Sequence, residues 1–349
     1  MPTSTDRPAL RFLAKTAGVL ALTAAAGVAA LTAAAVLSPW PSALLIRRAF
    51  TKGGWATNDA LAPLVPDGVS SVLNIAYRQD DADALLDIHR PAPVAGGRQS
   101  VPAVVWIHGG GWVAGSKDET ANYLRILAAE GFVVIAVDYT LAPRGRYPLP
   151  LEQVRDALSY LAEHAIEFNL DLTRVVIAGD SAGSQIAAQT ALAIADPHYA
   201  QRIGITPPLP AINLKAAILH CGAYDLAGAG RSSGAAAWFQ KTVLWAYSGT
   251  KNFLDDPRFE AASVIDFVTP AFPPTFLSGG NADPLTPQGK AFATVLREQG
   301  VAVTAEFAAE DHVPPLNHEY QFDLNSPDGA ATSAAALAFL RQYTGNSSN

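Results

Sequence analysis

A single cysteine, Cys221, stands in the whole chain. One thiol closes no internal disulfide, and no Cys/His cluster has the spacing of a zinc site. Charge is scarce as well. Only 16% of the 349 residues are Asp, Glu, Lys or Arg, which excludes a disordered polyampholyte. The net charge is −7 and the body of the chain has no basic block, so a nucleic-acid partner is excluded, because phosphate recognition needs clustered Lys and Arg. Internal repeats and low-complexity segments are missing after Trp40. What is plentiful is apolar sequence, 50% of the chain, enough for one large core.

The longest stretch without charge is residues 16–46. Up to Leu37 it is nearly all Ala, Leu, Val, Gly and Thr, and Arg7, Arg11 and Lys15 precede it. A bilayer-crossing helix needs about 20 apolar residues, with basic flanks on the cytoplasmic side. The run therefore reads as a membrane anchor that leaves the rest of the chain outside the cytoplasm. The alternative is a cleaved signal peptide with Ala33-Ala34-Ala35 at the cleavage site and secretion of the remainder. Signal h-regions usually span only ~7–15 residues, which favours the anchor. Ser38-Pro39-Trp40-Pro41 closes this helix. Residues 1–41 are thus an anchor or signal segment, and 42–349 the folded domain.

In that domain, apolar β-branched runs alternate with helical patterns, the signature of a mostly parallel sheet with helices on both faces. Strands are expected at 72–77 and 84–88, as an antiparallel pair, then at 103–107, 132–137, 174–178, 215–219, 274–277 and 301–307. Helices are expected at 122–130, 149–168, 181–194, 288–299 and 328–343. Residues 226–272 are too long for a simple connection and carry Trp238, Phe239, Trp245 and Tyr247. They read as an inserted helical cap, and these aromatics, with Trp112, are candidates for the wall of a substrate pocket.

Two motifs carry chemistry. Gly179-Asp180-Ser181-Ala182-Gly183 lies between a buried strand and a helix. A serine on such a tight turn is an exposed nucleophile, and the unpaired N–H groups opening the helix favour negative charge beside it. His108-Gly109-Gly110-Gly111-Trp112 ends an earlier strand. Its glycines let the N–H groups of Gly110 and Gly111, with that of Ala182, converge on a developing oxyanion. Asp283 follows the strand at 274–277 and suits the acid of a triad, with Asp225 as rival. His312 and His318 both follow the last strand and compete for the base; the aromatic at Tyr320 favours His318.

These motifs resemble the hormone-sensitive-lipase-like branch of the α/β-hydrolase superfamily, rich in bacterial carboxylesterases. The resemblance runs from about Leu86 to Leu340 and includes Leu86-Asp87-Ile88, Tyr139-Thr140-Leu141-Ala142-Pro143, Tyr147-Pro148 and Asp283-Pro284-Leu285. It implies an α/β-hydrolase fold with a Ser181–Asp283–His318 triad. It also implies hydrolysis of short- to medium-chain esters with no metal or other cofactor. Arg144 stands where the family usually has an acid, and Glu319-Tyr320 replaces the usual Gly-Phe after the histidine. Acyl transfer and amide cleavage use the same serine chemistry and stay open. A non-catalytic, membrane-tethered binding module is disfavoured by the complete set of candidate catalytic residues.

Overall fold

The computed structural model describes residues 32–91, 100–231, 233 and 237–346. Its centre is an eight-stranded sheet in the order β1-β2-β4-β3-β5-β6-β7-β8. The strands are β1 (Val69–Ala76), β2 (Leu85–Pro91), β3 (Val101–Ile107), β4 (Val133–Val137), β5 (Leu170–Asp180), β6 (Leu214–His220), β7 (Thr275–Gly279) and β8 (Val303–Phe307). β1 and β2 form the expected antiparallel pair, β2 runs antiparallel to β4, and the remaining pairs are parallel.

Burial explains the strand sequences. Every residue of β4, Val-Val-Ile-Ala-Val, is buried, as a strand with helices on both faces requires. Edge strand β1 is largely exposed, and its register shifts between Val72 and Ile75, where Asn74 takes a positive φ of 57°. The helices that flank the sheet include α1 (Trp40–Leu61), α2 (Ala121–Ala129), α3 (Leu149–Glu163), α4 (Ser181–Ala195), α5 (Ala237–Ser248), α6 (Thr286–Glu298) and α7 (Pro327–Thr344). The helix expected over 149–168 is interrupted at His164, and a separate short helix follows from Ala165 to Phe168.

α4 lies at the centre of the packing. All but its last residue are buried, including Gln185 and Gln189. The two glutamines satisfy their amides by donating to the carbonyls of Ala262 and Ala261, which ties the 226–272 insertion to the helix under it.

One expectation at the N-terminus is corrected. Ser38-Pro39 ends a short helix over 32–37, and Trp40-Pro41 opens a new one. Pro41 sits in the first turn of α1, where a missing N–H costs nothing. The boundary at 41 therefore falls inside an element of the folded domain. α1 joins the insertion as the second half of the cap. Arg47 donates to the carbonyls of Val113 (2.6 Å) and Ala142 (2.9 Å), and Asn58 accepts from the N–H of Asn122 at the start of α2. Residues 1–31, most of the apolar run, lie outside the described residues. No helix among the described residues is long and apolar enough to cross a membrane.

Candidate active site

The nucleophile candidate sits where β5 turns into α4. Ser181 takes a positive φ of 50°, a conformation that costs a non-glycine residue roughly 1–3 kcal/mol and that the surrounding packing must enforce. Gly183 shows how. A Cβ there would lie 2.0 Å from the carbonyl oxygen of Ile107 at the end of β3, so only glycine lets α4 press against that strand. Ser184 fixes the turn by donating to the carbonyls of Gly179 and His220, both at 2.7 Å.

His318 Nε2 lies 2.9 Å from Ser181 Oγ, and His318 Nδ1 lies 2.9 Å from Asp283 Oδ1. Asp283 is buried, and its Oδ1 also accepts from the N–H of Leu285, which orients the carboxylate. The structure brings Ser181, His318 and Asp283 into one line. It does not bring Asp225 there: that carboxylate caps a short helix by accepting from Gly228 N–H at 2.6 Å. His312 is also elsewhere, with its Nε2 3.3 Å from Asp328.

The loop after β3 meets the same serine. Gly110 has φ 104°, and a Cβ there would strike the carbonyl of Ala114 at 2.2 Å. Its own carbonyl accepts from Val113 and Ala114, which curls the loop, while the N–H groups of Gly110 and Gly111 take part in none of the loop's hydrogen bonds. The N–H of Ala182, in the first turn of α4, has no carbonyl a turn earlier in the helix to bond to. His108 is buried, stacks on Tyr139 at 4.4 Å, and is driven down to about 4 by burial, so it is a neutral part of the scaffold.

Two carboxyls that sequence reasoning did not single out border this site. Asp180, the residue before the nucleophile, is buried and accepts from Trp106 Nε1 and from Gly109 N–H, each at 2.8 Å. It thereby fastens the glycine loop to the turn. Glu319 takes a positive φ of 62°, and its Oε1 lies 3.6 Å from His318 Nε2. Burial, then the charge of Glu319, raises the Asp180 carboxyl well above the usual range. Each of the two is adjacent to a triad candidate in sequence, and Glu319 also stands where the resemblance would place a glycine.

Burial pulls the His318 imidazole down. The hydrogen bond to Asp283 and the charges of Glu319, Asp283 and Asp180 oppose this and prevail, raising it to about 9. Cys221 Sγ, Asp283 and His318 offer three donor atoms within 4.8 Å of one another. Metal binding needs a thiolate, and burial followed by the Asp283 charge holds this thiol protonated well above its usual range. Both His318 nitrogens are already engaged, so the trio does not fit a metal.

Two cavities open on Ser181 and His318. One, of about 220 Å³, is apolar, with Phe50, Trp112, Leu226, Phe239 and Val243 among its walls. The other, of about 340 Å³, is lined by Glu119, Asp180 and Glu319 along with Phe50 and Phe322. Phe50 of α1 stands between them and meets Phe239 of α5 at 5.6 Å. Of the aromatics expected in the pocket, Trp112 and Phe239 line it, and three do not. Trp238 is 54% exposed. Trp245 packs under the Lys251 ammonium at 4.5 Å. Tyr247 is fully buried behind the wall and stacks on Trp112 at 4.8 Å. Helical spacing turns Trp238 and Trp245 away from the cavity that Phe239 and Val243 reach, whereas Tyr247, on the same stripe as Phe239 and Val243, is screened from it by Trp112.

Residues 104–313 match the model of the alpha/beta hydrolase fold, more than half of the chain, and the chain belongs to that family. It is 30% identical over 251 residues to "Esterase LipQ" of Mycobacterium tuberculosis, which is 71% of this chain and 56% of that protein. It is 34% identical over 145 residues to an "Acetyl esterase" of Salmonella choleraesuis, 41% of this chain and 40% of the relative. The alignments thus span about half the length of these relatives. Among solved structures, Esterase B of Lactobacillus rhamnosis superposes with a TM-score of 0.73 at 23% identity, covering 87% of this chain and 96% of that one. An esterase of Pyrobaculum calidifontis gives 0.67 at 23% identity, with 86% and 92% covered. At these identities the structural likeness is one of fold.

Proposed function

We propose that the chain is a carboxylic ester hydrolase that acts through an acyl-enzyme on Ser181. The observation that carries the reading is the line from Ser181 Oγ through His318 to Asp283, with 2.9 Å at each link. His318 Nε2 takes the hydroxyl proton as Oγ bonds to the ester carbonyl carbon. Asp283 holds the ring in the tautomer that leaves Nε2 free to accept and stabilises the charged form. The oxyanion is received by the N–H groups of Gly110, Gly111 and Ala182. His318 then gives its proton to the alcohol oxygen as the carbon–oxygen bond breaks. Water enters, loses a proton to His318 and releases the acid, and Ser181 regains its hydrogen.

Each cavity suits one side of the ester. His318 borders both cavities; the leaving alcohol and the incoming water, which need polar surroundings, are assigned to the one that also holds Glu319. The apolar cavity then takes the acyl chain. At about 220 Å³ it lies below the ~300–1,000 Å³ of drug-sized pockets, which favours short acyl groups. The names of the relatives, an esterase and an acetyl esterase, support ester hydrolysis over amide cleavage or transfer to another acceptor. The complete triad likewise supports an enzyme over a binding module. Turnover of p-nitrophenyl acetate and butyrate by wild type, and its loss by several powers of ten in Ser181→Ala, tests the reading; an active Ser181→Ala variant overturns it.

For localisation, the apolar run after Arg7, Arg11 and Lys15 supports an anchor with the hydrolase domain outside the cytoplasm. Fractionation and N-terminal sequencing of the expressed protein test it. An intact N-terminus in the membrane fraction fits the anchor, and a mature chain starting near Val36 fits a cleaved signal instead.

A further inference from the structure

Resting on the ester-hydrolase reading, we propose that Glu319, with Glu119 opposite, makes this enzyme selective for esters whose alcohol carries an alkylammonium group. The argument starts from the unequal cavities at Ser181. An ester attacked there must send its two halves in different directions, and only one direction is polar. That cavity carries the carboxyls of Glu119, Asp180 and Glu319, and no Lys or Arg is among its lining residues. The carboxyls therefore have no resident counter-cation except the catalytic imidazole itself.

Two of these acids, Asp180 and Glu119, are shifted by burial and by the charge of the third. Burial, then the charge of Glu319, raises Asp180 well above its usual range. Burial raises Glu119 to about 7 against a hydrogen bond from Thr51, and the charge of Glu319 adds to the rise. Glu319 is the one group that acts on Glu119, Asp180 and His318 alike, so it is the negative centre of the cavity. A cation entering here would relieve that repulsion, whereas a carboxylate or phosphate on the alcohol would add to it.

The remaining wall fits the same ligand. Phe50 and Phe322 border the cavity with the carboxyls, and an ammonium carrying alkyl groups is held by aromatic faces as well as by opposite charge. The backbone is arranged to bring the acids in. Glu319 uses a left-handed residue to turn its carboxylate beside His318 Nε2, 3.6 Å away. The Glu119 carboxylate packs directly on Gly54 of α1, where a Cβ would lie 2.2 Å from its Oε2. Glu319 also departs from the residue expected after the histidine, so the charge is a property of this chain and not of the catalytic frame.

The test compares two esters of equal shape: acetylcholine and 3,3-dimethylbutyl acetate, in which carbon replaces the charged nitrogen. kcat/KM is measured for both in wild type, Glu319→Gln and Glu119→Gln, with p-nitrophenyl acetate as a reference. The ratio within one protein cancels any change in His318 or in folding that affects both esters. Wild type is expected to prefer the cationic ester at least tenfold. That ratio should fall toward unity in Glu319→Gln, fall partly in Glu119→Gln, and shrink as salt is added. A wild-type ratio within twofold of unity overturns the proposal, as does a tenfold ratio unchanged in both variants. Turnover of p-nitrophenyl acetate with neither alkyl ester cleaved overturns the proposal alone. No turnover of any of the three overturns the ester-hydrolase reading with it.

Discussion

Glu319 Oε1 lies 3.6 Å from Nε2 of His318, the nitrogen that also meets Ser181 Oγ at 2.9 Å. The candidate base is therefore flanked by a second carboxylate on the side facing Ser181, besides Asp283 on the other. Burial works against the imidazolium, but the Asp283 hydrogen bond and the charges of Glu319, Asp283 and Asp180 raise the ring to about 9. The ring must be neutral to accept the serine proton, so activity is lost as pH falls below that value. The acid limb of kcat/KM on a neutral ester should lie near 9, well above the ~6.5 of a free imidazole. Glu319→Gln removes a charge that favours the protonated ring, so the limb should move to lower pH. A pH profile that is the same in both proteins, or a wild-type limb near 6.5, contradicts this.

Asp283→Asn should keep the fold and lose roughly a thousand- to ten-thousand-fold in kcat, because the amide no longer holds the required tautomer of His318. Asp225→Asn is the control. Its side chain only caps a helix through Gly228 N–H, so kcat should stay within a few-fold and stability should fall by about 1 kcal/mol or less. Kinetics and thermal unfolding of the two variants separate them. Equal losses of kcat would mean that the acid is misplaced.

Among the histidines the contrast should be as sharp. His318→Asn should reduce kcat about as much as loss of Ser181, since the members of such a unit fail together. His312→Asn loses a partly exposed contact with Asp328, worth ~0–1 kcal/mol of stability, and should leave turnover intact. An inactive, folded His312→Asn variant with an active His318→Asn variant would reverse the assignment.

Much of this site was legible because it is encoded locally. The turns around Gly110 and Gly183 admit only glycine for steric reasons, so they leave motifs, and the strand before each motif is a short apolar run. The choice between His312 and His318 was less accessible. Both follow β8, and only the chain path between Asn281 and Leu316 decides which ring reaches Ser181. Asn281 accepts from Leu316 N–H and donates to the His312 carbonyl, holding the loop so that His318 faces inward. α1 was illegible for another reason: Gly53-Gly54 interrupts its helical pattern, yet the helix continues through both to Leu61. The carboxyl-lined cavity joins residues from α1, the turn before α2, the end of β5 and the loop after β8. No local pattern announces such a meeting.

The apolar cavity predicts which cap aromatics tune chain length. Phe239→Ala should enlarge it and move the preferred p-nitrophenyl ester to a longer acyl chain, with each added buried methylene worth ~0.8 kcal/mol, about fourfold in kcat/KM. Trp238→Ala should leave the profile unchanged, because that ring is 54% exposed. Tyr247→Ala should chiefly lower stability, since it removes the fully buried ring that backs Trp112. A chain-length profile that shifts for Trp238→Ala and not for Phe239→Ala contradicts the placement of the acyl side.

The central claim is that Ser181 Oγ is the nucleophile, and covalent capture tests it most directly. A fluorophosphonate transfers its phosphorus to an activated serine oxygen with loss of fluoride. Intact mass followed by peptide mapping should show one adduct per chain, on the peptide that holds Ser181. No adduct should form in Ser181→Ala, and labelling should be much slower in His318→Asn. A folded wild-type protein that takes no adduct, or an adduct that persists in Ser181→Ala, would contradict the account.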